Sequence, residues 1–293
     1  MQALGFYLLL PFIYLVSVLP FPLLYLFSDF VFFWVFIVFG YRRKVVMQNL
    51  RNAFPEKSEK ELKQICRRFY RYLCDLFIET FKTLTVSKET MLRHCVITPQ
   101  AAEIFDRYHA EKRHIIIVMG HFGNWEWAGN SFSLTRKHQL YVIYHPLQHK
   151  YFNRLIVNMR TRFGTKLIPM RDTMKQMLTN RDTGLNATAF IADQTPLPDR
   201  AYWMQFMNQD TPVFFGTEKI AQKLDYPVIY TSVRRLRRGY YEITAEILFD
   251  HPAKTSAGEV TESHTRRLEK DIHAQPENWL WSHRRWKHKR PSA

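Results

Sequence analysis

Cysteine is scarce in this sequence: Cys66, Cys74 and Cys95 are three thiols among 293 residues. None forms a Cys-x-x-Cys pair, and no histidine stands at zinc-finger spacing from them. That excludes a disulfide framework and points to a reducing compartment. His283 and His288 have no third ligand at a useful spacing, so neither a metal nor a cofactor is expected. Acidic residues are few beside basic ones, 26 Asp+Glu against 42 Lys+Arg, a formal net charge of +16. Such an excess favours anionic partners. No RNP-like, KH-like or helix-turn-helix signature accompanies it, so nucleic acid is not the expected partner. Internal repeats and low-complexity linkers are absent too, and the one boundary suggested lies near Tyr41.

Charge is almost missing from Leu4 to Phe39, where Asp29 stands alone. The stretch exceeds the roughly 20 residues that span a bilayer. It lacks the basic leader and small-residue cleavage site of a signal peptide. Pro20 and Pro22 interrupt it, and Ser28-Asp29 reads as a helix N-cap. Two pieces are expected: an apolar helix ending near Leu19, and a second starting at Asp29. Tyr41-Arg42-Arg43-Lys44 follows at once and marks the cytoplasmic side. The pieces make either one long tilted span or an inserted helix followed by an interfacial one.

Ser58-Glu59-Lys60-Glu61 reads as a capping box. Leu62, Ile65, Phe69, Leu73, Leu76, Phe77 and Leu84 follow at helical spacing, with Arg67, Arg68 and Arg71 on the other, solvated face. From His114 onward strands and helices alternate. Strands are predicted at Ile115–Val118, Tyr141–Tyr144, Lys166–Pro169, Ala187–Ala192, Val228–Val233 and, antiparallel after the Arg237-Arg238-Gly239 turn, Tyr240–Leu248. Helices are predicted at Tyr151–Phe163, Thr173–Thr179, Thr217–Leu224 and Val260–His273. This is an α/β fold, a mostly parallel sheet sandwiched by helices, behind an N-terminal membrane-anchoring helical segment.

The chemistry concentrates in Met119-Gly120-His121-Phe122-Gly123-Asn124-Trp125-Glu126-Trp127. A buried strand ends, two glycines permit a tight turn, and a helix begins near Asn124, its expected N-cap. Loops at strand C-termini are where α/β folds place ligands. On one continuous helix His121 and Glu126 would sit about 140° apart. With His121 in the turn and Glu126 in the first helical turn, the carboxylate can reach back and orient the imidazole as a general base. A histidine that merely caps the turn is the plainer alternative.

Gly120-His121-Phe122-Gly123-Asn124-Trp125-Glu126 resembles the HX4(D/E) motif of the glycerolipid acyltransferase superfamily. More narrowly, the chain resembles the bacterial lipid A biosynthesis (lauroyl/myristoyl) acyltransferases. Arg160-Thr161-Arg162-Phe163-Gly164 is similar to that family's R-x-R-x-G helix end. Ala192-Asp193-Gln194 resembles its A-D-Q strand end, and Phe214-Phe215-Gly216 its F-F-G loop. Pro276, Trp279, Trp281, His283-Arg284-Arg285 and Lys287 resemble its closing tail. Tyr144-His145-Pro146, Thr195-Pro196 after Gln194, and Thr217-Glu218-Lys219 depart from the pattern and bear on the acceptor and acyl-chain length.

The resemblance implies an anchor over residues 1–40 and an acyltransferase domain over 41–293, on the cytoplasmic face of the bacterial inner membrane. It implies transfer of an acyl chain from an acyl carrier protein or CoA thioester to a hydroxyl of a lipid A precursor or other anionic lipid. His121 acts as base and Glu126 orients it. Arg160, Arg162, Asp193, Gln194, Arg284 and Arg285 are expected at the substrate, and no metal or cofactor takes part. An amino-acid lipid, a glycolipid or a lysophospholipid stays open as acceptor. A membrane-tethered basic protein without catalysis accounts for the charge and the anchor but leaves the His121 segment unexplained.

Overall fold

The computed structural model describes residues 2–291; Met1, Ser292 and Ala293, the outermost residues of the two expected regions, lie outside it. The strands are β1 (Cys95–Ile97), β2 (Ile115–Met119), β3 (Gln139–Tyr144), β4 (Lys166–Pro169), β5 (Asn186–Ile191), β6 (Ala201–Phe206), β7 (Gln209–Phe214), β8 (Val228–Arg237) and β9 (Tyr240–Phe249). Seven of them form one sheet in the order β1-β9-β8-β2-β5-β3-β4. From β8 to β4 every pairing is parallel, while β9 returns antiparallel beside β8. The mixed α/β class and the mostly parallel sheet are those the alternation predicted. β6 and β7 make a separate hairpin, which the sequence pattern did not disclose.

β2 lies in the middle of the sheet, with β5 on one side and β8 on the other. Its β-branched run is buried on both faces, as a parallel strand requires. Ile116 and Val118 join a core with Phe69, Leu268 and Trp279, whereas Ile115 and Ile117 join one with Phe105, Phe132 and Leu140. The strand is thereby locked in register, and its C-terminal end has a fixed position.

The apolar N-terminus forms two helices, Gln2–Val18 and Phe21–Phe32, the second continuing as a π-helical stretch Phe33–Val38. Phe21–Val38 is long and apolar enough to cross a membrane, with mean hydropathy 2.1. The second helix starts eight residues before the expected Asp29. Pro20 is its N-cap and Pro22 sits in the first turn, where a missing N–H costs nothing. Ser28 is no cap: it is buried inside the helix and donates to Asp75 Oδ1 at 2.7 Å. The Phe12 and Phe27 rings meet at 5.8 Å, so the two helices fold back as a hairpin.

The long helix Glu59–Lys82 carries the hairpin. Its capping box is present as expected, Ser58 Oγ accepting from Glu61 N–H while Glu61 Oε2 accepts from Ser58 N–H at 2.8 Å. Tyr25 donates to Glu79 at 2.8 Å, and Lys82 Nζ donates to the carbonyls of Ser17 and Leu19 at 2.9 and 2.7 Å. Phe77, expected to pack with the apolar face, is instead 58% exposed, beside an apolar groove of about 600 Å³ between this helix and the hairpin.

Candidate active site

β2 ends at Met119, and Gly120 to Gly123 make the turn into the helix Trp125–Thr135. Asn124 is the N-cap, its side chain accepting from Trp127 N–H at 3.0 Å. Gly123 has φ +61°, and a Cβ there would overlap the Val233 carbonyl. Only glycine adopts that conformation so close to another backbone. The turn is gripped from outside at three points. Tyr72 donates to Gly123 C=O at 2.6 Å, Gly123 N–H donates to Asn278 C=O at 3.0 Å, and Asn124 Nδ2 donates to Glu79 Oε2 at 2.7 Å.

His121 projects from this turn with its side chain 17% exposed. Its Nδ1 lies 2.6 Å from Asp193 Oδ1, and its backbone N–H donates to Asp193 Oδ2 at 2.8 Å. Trp279 Nε1 donates to the same Oδ2 at 2.8 Å. Sheet register explains the meeting. Met119 pairs with Ile191 across β2 and β5, and His121 and Asp193 stand two residues beyond that pair on each strand. Burial alone would raise the Asp193 pKa. Electrostatic attraction to His121 and the donors from His121 and Trp279 pull it down to about 2 instead. A carboxylate on Nδ1 fixes that nitrogen as donor and leaves the lone pair on Nε2. The Gln194 amide nitrogen lies 3.4 Å from Nε2, and the Trp125 ring meets the imidazole edge-to-face at 5.0 Å.

Glu126 does not hold the imidazole, contrary to the spacing argument. It makes a two-point ion pair with Arg160, Nε to Oε2 at 2.8 Å and Nη2 to Oε1 at 2.5 Å. The reason is its place in the first turn of the helix, where the side chain faces the neighbouring helix Lys150–Thr161 rather than the turn behind it. Asp193, expected at the substrate, occupies the position foreseen for Glu126.

The profile of the family described as bacterial lipid A biosynthesis acyltransferase matches residues 1–288. The chain belongs to that family. No curated protein matches it.

Within this acyltransferase the expected basic residues separate. Arg160 is tied to Glu126. Arg162 is held by the carbonyls of Thr83 and Val86, just past the long helix, where a cation satisfies orphan acceptors. It clamps the end of the helix Lys150–Thr161 to the end of the long helix. Arg284 is exposed and lines a groove with Arg42, Arg43, Lys44 and Arg51. Arg285, also expected at the substrate, is 2% exposed, and its Nε and Nη1 have no hydrogen-bond partner among the described residues. Burial lowers its pKa to about 10, against the opposing pull of Asp193. It shares a small internal cavity with Asp193 and His264.

Residues outside the earlier expectation complete the site. Trp279, Tyr72 and Glu79 grip the turn or its carboxylate, and only the spacing of the closing tail hinted at the first. Two departures from the family pattern have structural work. Thr195 Oγ1 donates to Arg285 C=O at 2.7 Å and ties the Asp193 loop to the tail. Buried Glu218 accepts from the N–H groups of Gly258 and Thr261 at 2.6 and 2.8 Å and caps the helix Glu259–Ala274.

Proposed function

We propose that this protein is an O-acyltransferase that moves a fatty acyl chain from an acyl carrier protein or CoA thioester to a hydroxyl of a lipid A precursor. The observation that carries the reading is the His121–Asp193 contact at the end of a buried strand, with Nε2 turned to the Gln194 amide and not to a carboxylate. In this scheme Nε2 takes the proton of the acceptor hydroxyl as its oxygen attacks the thioester carbonyl carbon. The C–S bond then breaks, and the departing thiolate receives the proton from Nε2. Asp193 stabilises the imidazolium in between. Glu126 and Arg160 act as positioning residues: their ion pair joins the helix that follows His121 to the helix Lys150–Thr161. Gln194 lies where a hydroxyl would approach Nε2.

The hairpin supports work at a membrane surface. Both ends of each helix rest on the folded body. Phe6 packs on Tyr151 and Phe152 while Ser17 and Leu19 are held by Lys82, and Phe21 stacks on His94 at 4.0 Å while Phe36 lies against Tyr70. Helices docked at both ends lie along the body and embed in one leaflet, as interfacial helices do. Their outward side exposes Leu8, Leu15, Leu26, Phe30 and Phe33. In this reading the leaflet is the cytoplasmic one of the inner membrane, which the positive cluster after Phe39 supports.

The test is a His121→Ala protein, folded and membrane-bound, assayed for acyl transfer, beside mass spectrometry of lipids from cells with and without the gene. Loss of transfer and a missing acyl chain on lipid A are expected. Retained turnover would sink the assigned base, and an unchanged lipid A would sink the acceptor.

A further inference from the structure

A second polar cleft, of about 730 Å³, lies between the long helix Glu59–Lys82 and the turn joining β8 to β9. Five arginines line it, Arg68, Arg71, Arg235, Arg237 and Arg238, against the three carboxylates Asp29, Asp75 and Glu277. The arginines divide into two groups. At the floor, buried Asp75 takes Arg235 at 2.5 Å and Arg238 at 2.7 Å, and Asp29 takes Arg238 at 2.9 Å. At the rim, Arg68, Arg71 and Arg237 are exposed and have no carboxylate partner among the described residues. Arg68 and Arg71 are three apart on one helix and share its face with Asp75. The Arg237 guanidinium lies 3.9 Å from the centre of the Tyr240 ring.

We propose that this cleft binds the phosphate monoester of a lipid headgroup. The proposal rests on the lipid-acceptor reading above. Five guanidinium groups against three carboxylates leave an excess of two positive charges, which matches the charge of a phosphate monoester near neutral pH. Guanidinium forks pair with phosphate oxygens two at a time. A concave site of this volume suits a headgroup. A convex acidic protein helix could not reach the floor, and the carboxylates there would repel its own.

Two features place the ligand in a lipid surface. Asp29 and Phe32 in the wall belong to the apolar hairpin, whose other side exposes Phe30 and Phe33. On the facing wall Leu236 is 60% exposed within Arg234-Arg235-Leu236-Arg237-Arg238. An exposed leucine flanked by arginines inserts among acyl chains while its neighbours meet phosphates. The cleft also adjoins the reaction site: Asn278 in its wall accepts the N–H of Gly123, two residues beyond His121.

The experiment is calorimetric titration of the full-length protein in neutral detergent with dihexanoyl phosphatidic acid, dihexanoyl phosphatidylcholine and inorganic phosphate. Phosphatidic acid should bind at least about tenfold more tightly than inorganic phosphate, and phosphatidylcholine should not compete. Replacing Arg68, Arg71 and Arg237 together by Gln should weaken phosphatidic acid binding by about tenfold or more, on the scale of lost charge-assisted hydrogen bonds. Replacement of the same three by Lys should keep most of it, with unchanged thermal unfolding in both variants. Wild-type affinity in the Gln variant would overturn the proposal. So would equal affinity for free phosphate, or displacement of the lipid by acidic carrier protein. His121→Ala should bind as wild type does, so that loss of catalysis and loss of this site are read separately.

Discussion

The Asp193 carboxylate holds His121 at two points, one oxygen 2.6 Å from the ring Nδ1 and the other accepting the backbone N–H at 2.8 Å. A single side chain thus sets both the ring and the turn that carries it. Trp279 holds the same carboxylate from the tail, so residues nearly 90 apart in sequence share one hydrogen-bond network.

Replacing Asp193 by Asn keeps the shape but removes the charge and offers an N–H where His121 needs an acceptor. Turnover should fall by about 10²–10⁴-fold, the range for losing the group that orients a catalytic histidine. Adding Asp193→Asn to His121→Ala should cost no further turnover, because the two act as a unit. A radiolabelled acyl-transfer assay reads both. Wild-type turnover in the Asn variant would dismiss the pair.

The Glu126–Arg160 pair is partly buried, with side chains 14% and 28% exposed. Truncating either partner to Ala strands the other charge and should cost about 1–3 kcal/mol, a figure reduced for the solvent reaching Arg160. The double variant should be less destabilised than the sum of the singles. Denaturant unfolding checks this. Strict additivity would mean that the ion pair contributes no coupling.

Glu79 is fully buried and accepts from Tyr25, Tyr241 and Asn124. Burial, reinforced by nearby Asp75, pushes its pKa up to about 7 against the pull of Arg235 and the tyrosine donors. The folded state therefore binds this proton more tightly than the unfolded chain does. The resulting stability is fully present below the ordinary value of 4.5 and is lost as pH rises through about 7. Glu79→Gln cannot titrate. The melting-temperature gap between wild type and variant should shrink from pH 4.5 to pH 8. A constant gap would show that Glu79 ionises in the fold as it does in water.

Gly123→Ala should abolish transfer and lower stability by about 2 kcal/mol or more, since positive φ and a clash with backbone act together. Tyr72→Phe removes only one hydrogen bond to the same residue and should cost about 1 kcal/mol. Thermal unfolding of both variants tests the ranking. Equal losses would place the constraint in the hydroxyl contact rather than in the backbone.

Much of the sheet was legible because its strands are short β-branched runs between helices of 3.6-residue period. The hairpin β6–β7 was not: Pro212 interrupts its second strand, and its turn is Met207-Asn208, whose positive φ values of 50° and 61° carry no glycine signal. The second apolar helix was placed too late because Ser28-Asp29 has cap chemistry, yet those side chains face Asp75 and Arg238 on other elements.

The site divides along the same line. That a histidine ends a buried strand, in a glycine turn capped by Asn124, follows from neighbouring residues alone, since strand propensity, turn permissiveness and capping act over a few positions. Which carboxylate meets that histidine depends on β2 and β5 lying side by side with Met119 opposite Ile191. Spacing along the chain favoured Glu126; the parallel register delivers Asp193. The fate of each arginine was likewise open until packing closed around it, because a guanidinium reads the same in sequence whether it sits buried behind Asp193, on a helix end or at the rim of a cleft.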